Sequence, residues 1–478
     1  MISIQLRTTI FYLLLFSIKC FFAQSKKVNT SKPNIVFVFA DQWRAQAIGY
    51  SGNKDVITPN LDKLASEGVY FTNAISTYPV CTPYRAMLIT GQYPLKNGMF
   101  MNDVSLNPKA SSLAKIVKKE GYNTAYIGKW HIDGNGRSAF IPKERRQGFD
   151  YWKVLECSHG YNHSQYWGND DKLHTWKGYD AEKQTQDAIA YIEEQSTKKD
   201  PFCLVLSWGP PHAPYKTAPK KFQDLYKNSD IQLRPNVPEK LAKKTKSILK
   251  GYYAHCTALD SYIKQLQGAI KRLGIEDNTI FIFTSDHGDM INSHGKTKKQ
   301  RIYNESAKVP FIVKYPNLLG SQGHKSDFLL NTLDILPTIL GLSDIEIPKH
   351  LDGENITDII LGKKKDKRKG SLVTSIQPFG QWSRNVGGKE FRGIITKRYT
   401  YAQDLDGGWL LFDNHKDPYQ LNNLIENNKY KSTVKKLKKI LSKELCNLND
   451  EFLPGASYIK KWGYSVDSTG TVPYKNKL

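Results

Sequence analysis

The chain has 478 residues, with 69 lysines and arginines against 45 aspartates and glutamates, a net charge of +24. That length supports one large core plus a smaller second domain, and six widely spaced cysteines exclude both a zinc pattern and a small disulfide scaffold. The basic balance favours polyanionic partners, but no aromatic and basic module of an RNA or DNA reader is present, so nucleic acid is set aside.

In chain order, Arg7 precedes an apolar run from Ile10 to Phe22, interrupted by Lys19, and then Ala23-Gln24-Ser25. The run has the length of a signal h-region and is too short to span a bilayer. Residues 1–24 are therefore expected to be a signal peptide, and the protein periplasmic or secreted. Lipidation at Cys20 is the weaker reading, because Lys19 stands where such a processing site needs a small residue. The remainder keeps a charge of +22, and no later segment is apolar for long enough to anchor it.

Asn34 to Ala40, Phe202 to Trp208 and Thr279 to Thr284 are continuous β-branched and aromatic runs, the pattern of strands buried on both faces. Helical patterns lie at 61–66, 112–119 before Gly121, 181–195, and 247–273 before Gly274. The alternation predicts an α/β domain over residues 25–368, a large, mostly parallel sheet sandwiched by helices. Its site is expected in loops at the carboxyl ends of the strands, where Asp41-Gln42 and Asp286-His287 fall. Lys363 to Lys369 is expected to be a solvated loop. Residues 369–478 change texture, with short strand-like pieces at 372–376, 391–396, 399–402 and 409–412 and a basic amphipathic helix around 433–445. Cys203, inside Phe202-Cys203-Leu204-Val205-Leu206, reads as a small core residue.

The most informative motif is Cys81-x-Pro83-x-Arg85. A thiol before a helix-starting proline, with an arginine about one turn on, sits where helical N–H groups and a guanidinium converge on an anion. A second stretch, Gly121 to His131, contains Gly128-Lys129-Trp130-His131. Pro211-His212-Ala213-Pro214-Tyr215, Ser285-Asp286-His287-Gly288, Lys299 four residues before Tyr303, and Asp417 to Leu424 follow. Together these blocks resemble the formylglycine-dependent sulfatases of the alkaline phosphatase superfamily, from about Pro33 to about Leu424.

The resemblance implies an alkaline phosphatase-like fold with a smaller C-terminal antiparallel sheet and helix over 369–478. It implies that Cys81 is converted to formylglycine (3-oxoalanine) by a maturation enzyme, the aldehyde hydrate then serving as nucleophile. Asp41, Gln42, Cys81, Asp286 and His287 would hold one divalent cation, Ca²⁺ by family habit and by hard-ligand chemistry, with Mg²⁺ open. Arg85 would link the nucleophile and the ion electrostatically. Lys129 and Lys299 would face sulfate oxygens, and His131 would take the proton that expels sulfate. His212 would act as general acid, with Lys299 its competitor for that role. Tyr84 stands where relatives carry a small residue and is expected at the pocket wall. His159, Asn162 and His163, in a stretch rich in histidine, amide and aromatic groups, are candidates for contacts to a sugar.

The function implied is hydrolysis of O-sulfate esters on a sulfated polysaccharide or its oligosaccharides, with an algal polymer such as ulvan favoured. The alternatives are a phosphonate monoester or phosphodiester hydrolase of the same superfamily, and a polyanion-binding protein without turnover.

Overall fold

The computed structural model describes residues 32–474, which belong to one compact unit. The signal-like run, Cys20 and the cleavage region lie outside the described residues. No helix among the described residues is long and apolar enough to cross a membrane.

The large sheet contains β1 (Asn34–Asp41), β2 (Val69–Ile75), β3 (Asn123–Lys129), β4 (Tyr151–Leu155), β5 (Gln165–Trp167) and β6 (Leu173–Thr175). It is completed by β7 (Phe202–Pro211), β8 (Thr279–Ser285), β9 (Lys308–Val309), β10 (Phe311–Lys314) and β11 (His324–Asn331). Its order is β11-β2-β10-β8-β1-β7-β3-β4-β5-β6, with β9 paired to β2. The centre, β8-β1-β7-β3-β4, is parallel, as the buried runs require, whereas β10 enters antiparallel between β8 and β2. Alternation along β1 explains why the whole strand is apolar. Ile35, Phe37 and Phe39 join one core, while Val36, Val38 and Ala40 join a second core on the other face.

Helices cover both faces. The helix Ala242–Arg272 begins five residues before the expected start, because Lys243 and Lys244 extend it on the solvent side where no apolar periodicity marks it. The helix Cys81–Thr90 has all ten residues buried, with Val80 as its N-cap residue. Tyr84 departs from expectation there. It is 1% exposed and lies in the same core as Phe39, whose ring is 6.5 Å away, so it fills the interior beneath the site and does not wall a pocket. Cys203 is fully buried on β7, and Cys81, Cys157, Cys203, Cys256 and Cys446 are all free thiols.

A second, four-stranded antiparallel sheet has the order β12 (Ser371–Ser375), β13 (Phe391–Ile395), β14 (Tyr399–Asp404), β15 (Gly407–Asp413), with the helix Lys431–Asn447 beside it. Val373, Phe391 and Phe412 from this sheet share a small core with Met290, Ile302 and Tyr303. The small sheet thus supports the loop 289–303, which carries Lys299. The 363–369 run is not uniformly solvated: Arg368 turns inward onto Asp334 and Glu354.

Candidate active site

Strands β1 and β8 are neighbours with Ala40 opposite Ser285, so the residues that follow them emerge side by side. Asp286 Oδ1 accepts from the backbone N–H groups of Gln42 and His287, each at 2.9 Å. Gln42 adopts φ 72°, a left-handed conformation that a non-glycine residue takes only when its surroundings over-determine it. Its side chain donates from Nε2 to Asp289 Oδ2 at 2.6 Å, leaving Oε1 buried without a partner among the described residues. Asp289 also accepts from the hydroxyl of Tyr215.

Cys81 opens its helix against these strand ends. Its Sγ lies 3.2 Å from His287 Nε2 and 3.6 Å from both oxygens of Asp41. His287 Nδ1 faces the Gly288 carbonyl at 2.9 Å, which must accept, so the proton sits on Nδ1 and Nε2 is left to act as a ligand. Ligand atoms of Asp41, Cys81, Asp286 and His287 all lie within 4.8 Å of one another. Two carboxylates, an imidazole nitrogen and the position-81 atom form a mainly hard donor set that fits one divalent cation, and Gln42, whose backbone N–H bonds Asp286, adjoins it.

Three buried cations surround the cluster. Arg85 bridges Asp41 at 3.3 Å and Asp286 at 3.2 Å, and is anchored by the Lys129 carbonyl and Ser207 Oγ. Lys129 Nζ is 2.6 Å from Asp41 Oδ2 and 3.9 Å from Cys81 Sγ, and Lys299 Nζ is 2.9 Å from that sulfur. Gly128 makes the Lys129 placement possible. A Cβ there would lie 2.1 Å from the Ser207 carbonyl oxygen, at φ 104°, so no other residue lets β3 approach β7 this closely. Lys299 is held by Gln300, whose N–H donates to the Pro79 carbonyl, and by Arg301, which donates to the Lys299 carbonyl.

Burial opposes ionisation throughout, and the cations overcome it selectively. Asp41, though desolvated, is held well below the usual carboxylate range by Lys129, Lys299, His212 and Arg85. Asp286 is raised by burial and by Asp41 beside it. Burial and Asp41 push the Cys81 thiol up, but Lys129, Lys299 and His287 bring it well below its ordinary value. Two carboxylates against three fixed cations make a field that stabilises a further negative charge at position 81.

His131, at φ 59°, places Nε2 3.0 Å from Asp103 Oδ1, and Thr82 Oγ1 donates to its carbonyl at 2.7 Å. Its Nδ1 is buried, with no hydrogen-bond partner of standard geometry among the described residues. Burial acts to lower its pKa, but Cys157 and Asp103 hold it well above the ordinary value, while Cys157 is brought down against burial to about 7 by His131 and Lys129. His212 points Nδ1 at the Ala213 carbonyl at 2.8 Å and stacks on His159, with centroids 4.4 Å apart at 19°. Burial and Lys299 hold His212 well below its ordinary pKa, and burial and Lys129 bring His159 down to about 3.

The structure therefore brings Asp41, Gln42, Cys81, Arg85, Lys129, Asp286, His287 and Lys299 together, with His159 stacked on the neighbouring His212. Asn162 and His163 are not brought in: both are exposed, and Asn162 Nδ2 donates to the Thr217 carbonyl. Sequence reasoning missed Asp103, Cys157, Ser207, Tyr215 and Asp289. Asp289 could have been found as a third polar residue after β8, whereas Asp103 carries no local signal that pairs it with a histidine 28 positions away.

Two family models match the chain: "Sulfatase" over residues 33–345, and "N-sulphoglucosamine sulphohydrolase, C-terminal" over 292–447. An ulvan-active sulfatase of Formosa agariphila is 45% identical over 437 residues, covering 91% of this chain and 85% of the relative. An endo-4-O-sulfatase of Bacteroides thetaiotaomicron is 32% identical, covering 82% and 88%. A structure from work on glycosaminoglycan metabolism by the same bacterium superposes with a TM-score of 0.81 at 31% identity, covering 90% of this chain and 98% of that one.

Proposed function

This chain belongs to the sulfatase family of the alkaline phosphatase superfamily, the hydrolases of sulfuric esters, and from that premise we propose that it removes O-sulfate from a sulfated carbohydrate, with ulvan or its oligosaccharides as the preferred substrate class. The observation that carries this reading is the convergence of Lys129 and Lys299 on Cys81 Sγ beside a buried hard-ligand cluster. A sulfate ester presents three oxygens sharing one charge, and two compact ammonium groups match it.

The residues divide the work as follows. Cys81, matured to formylglycine, would supply a hydroxyl nucleophile. A divalent cation held by Asp41, Gln42, position 81, Asp286 and His287, Ca²⁺ in our assignment, would neutralise charge and favour the ionised form of that hydroxyl. Arg85 bonds both Asp41 and Asp286 and would hold their carboxylates toward the ion. Lys129 and Lys299 hold the sulfuryl oxygens, so that the S–O bond to the sugar is the one that breaks. The sugar oxygen leaves as an alkoxide and needs a proton. Burial and the facing Lys299 hold the His212 pKa well below its ordinary value, so the substrate's negative charge is what raises its proton affinity and lets Nε2 carry a proton to the leaving oxygen. His131, which its raised pKa keeps protonated at rest, must first give up that proton; the neutral ring, steadied by Asp103, then removes the proton that accompanies release of sulfate, and water restores the starting state. Over the cycle one water is consumed, giving an alcohol and hydrogen sulfate.

The test is co-production with a formylglycine-generating enzyme, mass measurement of the peptide bearing residue 81, and a panel of defined sulfated oligosaccharides read by mass. Conversion of cysteine to formylglycine lowers the peptide by about 18 Da and creates the carbonyl that covalent catalysis needs. An active preparation with an intact thiol at 81, or turnover of aryl phosphonate in preference to every sulfate ester, would overturn the reading. Exhaustive chelation should abolish turnover and Ca²⁺ should restore it; full activity without metal would remove the ion from the scheme.

We further propose that the protein is exported, from the signal-like segment at residues 1–24.

A further inference from the structure

Against the loop that follows β1 lies a cavity of about 480 Å³ that takes no part in the chemistry above. Its wall carries three cations, Arg234, Lys308 and Lys325. Arg234 is paired with Glu305. Lys308 meets only the neutral Asn73 Oδ1 at 2.8 Å, and the Lys325 ammonium sits 4.6 Å from the ring centroid of Tyr50; neither lysine has an anionic partner among the described residues. Desolvation lowers the Lys308 ammonium to about 8, which leaves it largely charged at neutral pH.

Two further features point to a ligand with hydroxyl groups as well as charge. Asn304, 8% exposed, and Gln46 both line the cavity, and each carries a buried amide oxygen with no partner among the described residues. An acceptor left unpaired in that way is costly to bury, and a hydroxyl donor can satisfy it. Tyr50, Tyr70 and Tyr419 add aromatic faces. Surplus positive charge, unmatched acceptors and aromatic rings together describe a site for an acidic sugar, its sulfate or carboxylate on the lysines and its hydroxyls toward the amides.

The position relates it to the active site. Gln46 is five residues beyond Asp41, so the two backbones are at most about 18 Å apart, a distance that a short oligosaccharide spans. We propose that this cavity is a second carbohydrate-binding site, which holds an anionic sugar unit of the polymer whose sulfate is being cleaved. That the ligand is part of the substrate rests on the hydrolase reading above; that the cavity takes an anionic sugar does not.

The test uses the full-length Cys81→Ala protein, which binds without turnover, and the double variant Lys308→Gln/Lys325→Glu in both the Cys81→Ala and the matured background. With ulvan fragments as probe, affinity electrophoresis should show at least about tenfold weaker binding for the double variant, and a shallower dependence on salt, because two phosphate-like contacts are lost. For matured protein, kcat/KM on the polymer should fall while that on 4-nitrophenyl sulfate stays within about twofold. Unchanged polymer binding in a folded double variant overturns the proposal, as does an equal fall on both substrates. If the matured protein cleaves no sulfate ester but the double variant still loses ulvan binding, the hydrolase reading fails and the cavity stands.

Discussion

The ends of β1 and β8 and the side chains of His159, Asn162 and His163 are built on opposite principles. At the strand ends every functional group is buried and held by more than one partner: Arg85 alone has four, and Asp41 answers to two cations. Along 156–167, Asn162 and His163 are exposed and His159 makes one ring contact with the site. Over-determined geometry resists substitution and fixes a reaction, whereas lightly held side chains can change with little cost to the fold. On the function proposed above, the first region would carry the reaction, while the second is free to vary.

The contrast breaks or sharpens in a definite order. Cys81→Ser in a maturing host should lower turnover by at least about a thousandfold with an unchanged circular dichroism spectrum, as expected for loss of a covalent nucleophile. Lys299→Ala should cost roughly 10²–10³ in kcat, the range for removing one group that stabilises transition-state charge, with little change in KM on a small aryl sulfate. A comparable loss from His159, Asn162 or His163 would erase the distinction between the regions.

Asp103→Asn should cost roughly 10- to 100-fold, and it has a pH signature. Asp103 raises the pKa of His131, so its removal should shift the limb of the kcat profile governed by His131 to lower pH. A uniform fall at every pH would mean that Asp103 serves only packing.

His255 tests the scaffold beneath His212. It receives a hydrogen bond from Tyr179 at 2.6 Å, lies 3.3 Å from the Pro214 carbonyl, and is depressed by burial to about 4. The unfolded chain binds this proton from about pH 6.5 downward and the folded chain only near 4, so stability present above pH 6.5 is lost as pH falls through that window, by up to about 3 kcal/mol. The apparent Tm of His255→Gln should fall less steeply between pH 6.5 and 4 than that of the wild type; parallel curves would exclude His255. Smallest of all, His163→Ala should change kcat/KM by less than about threefold on any sulfated oligosaccharide, since its ring is in solvent.

Much of this could be read in advance because the centre is local in sequence. Asp41-Gln42 and Asp286-His287 are adjacent pairs at strand ends, which periodicity placed, and Cys81 and Arg85 lie one turn apart; the resemblance to the sulfatases joined the two sets. The rest depends on long-range packing. Asp103 finds His131, and Asp289 finds Gln42, only through the fold. Tyr84 was misplaced because helix position alone does not say which face meets the core: beneath this site Phe39 lies on that side. The 31-residue helix Ala242–Arg272 lost its first turn to the reading because lysines on a solvent face carry no apolar rhythm. For the same reason the cavity lined by Lys308 and Lys325 left no motif, its residues coming from distant segments.

The burial of the whole helix Cys81–Thr90 has a consequence for biogenesis. Cys81 is 1% exposed, and the residues that flank it are equally enclosed. An oxidising enzyme that must contact this sulfur and read Pro83 and Arg85 has access only while the segment is still an open peptide. If Cys81 is converted as proposed, maturation would be a race between oxidation and folding: a molecule that packs this helix first would be locked as the thiol, and conditions that slow folding would raise the yield of converted protein.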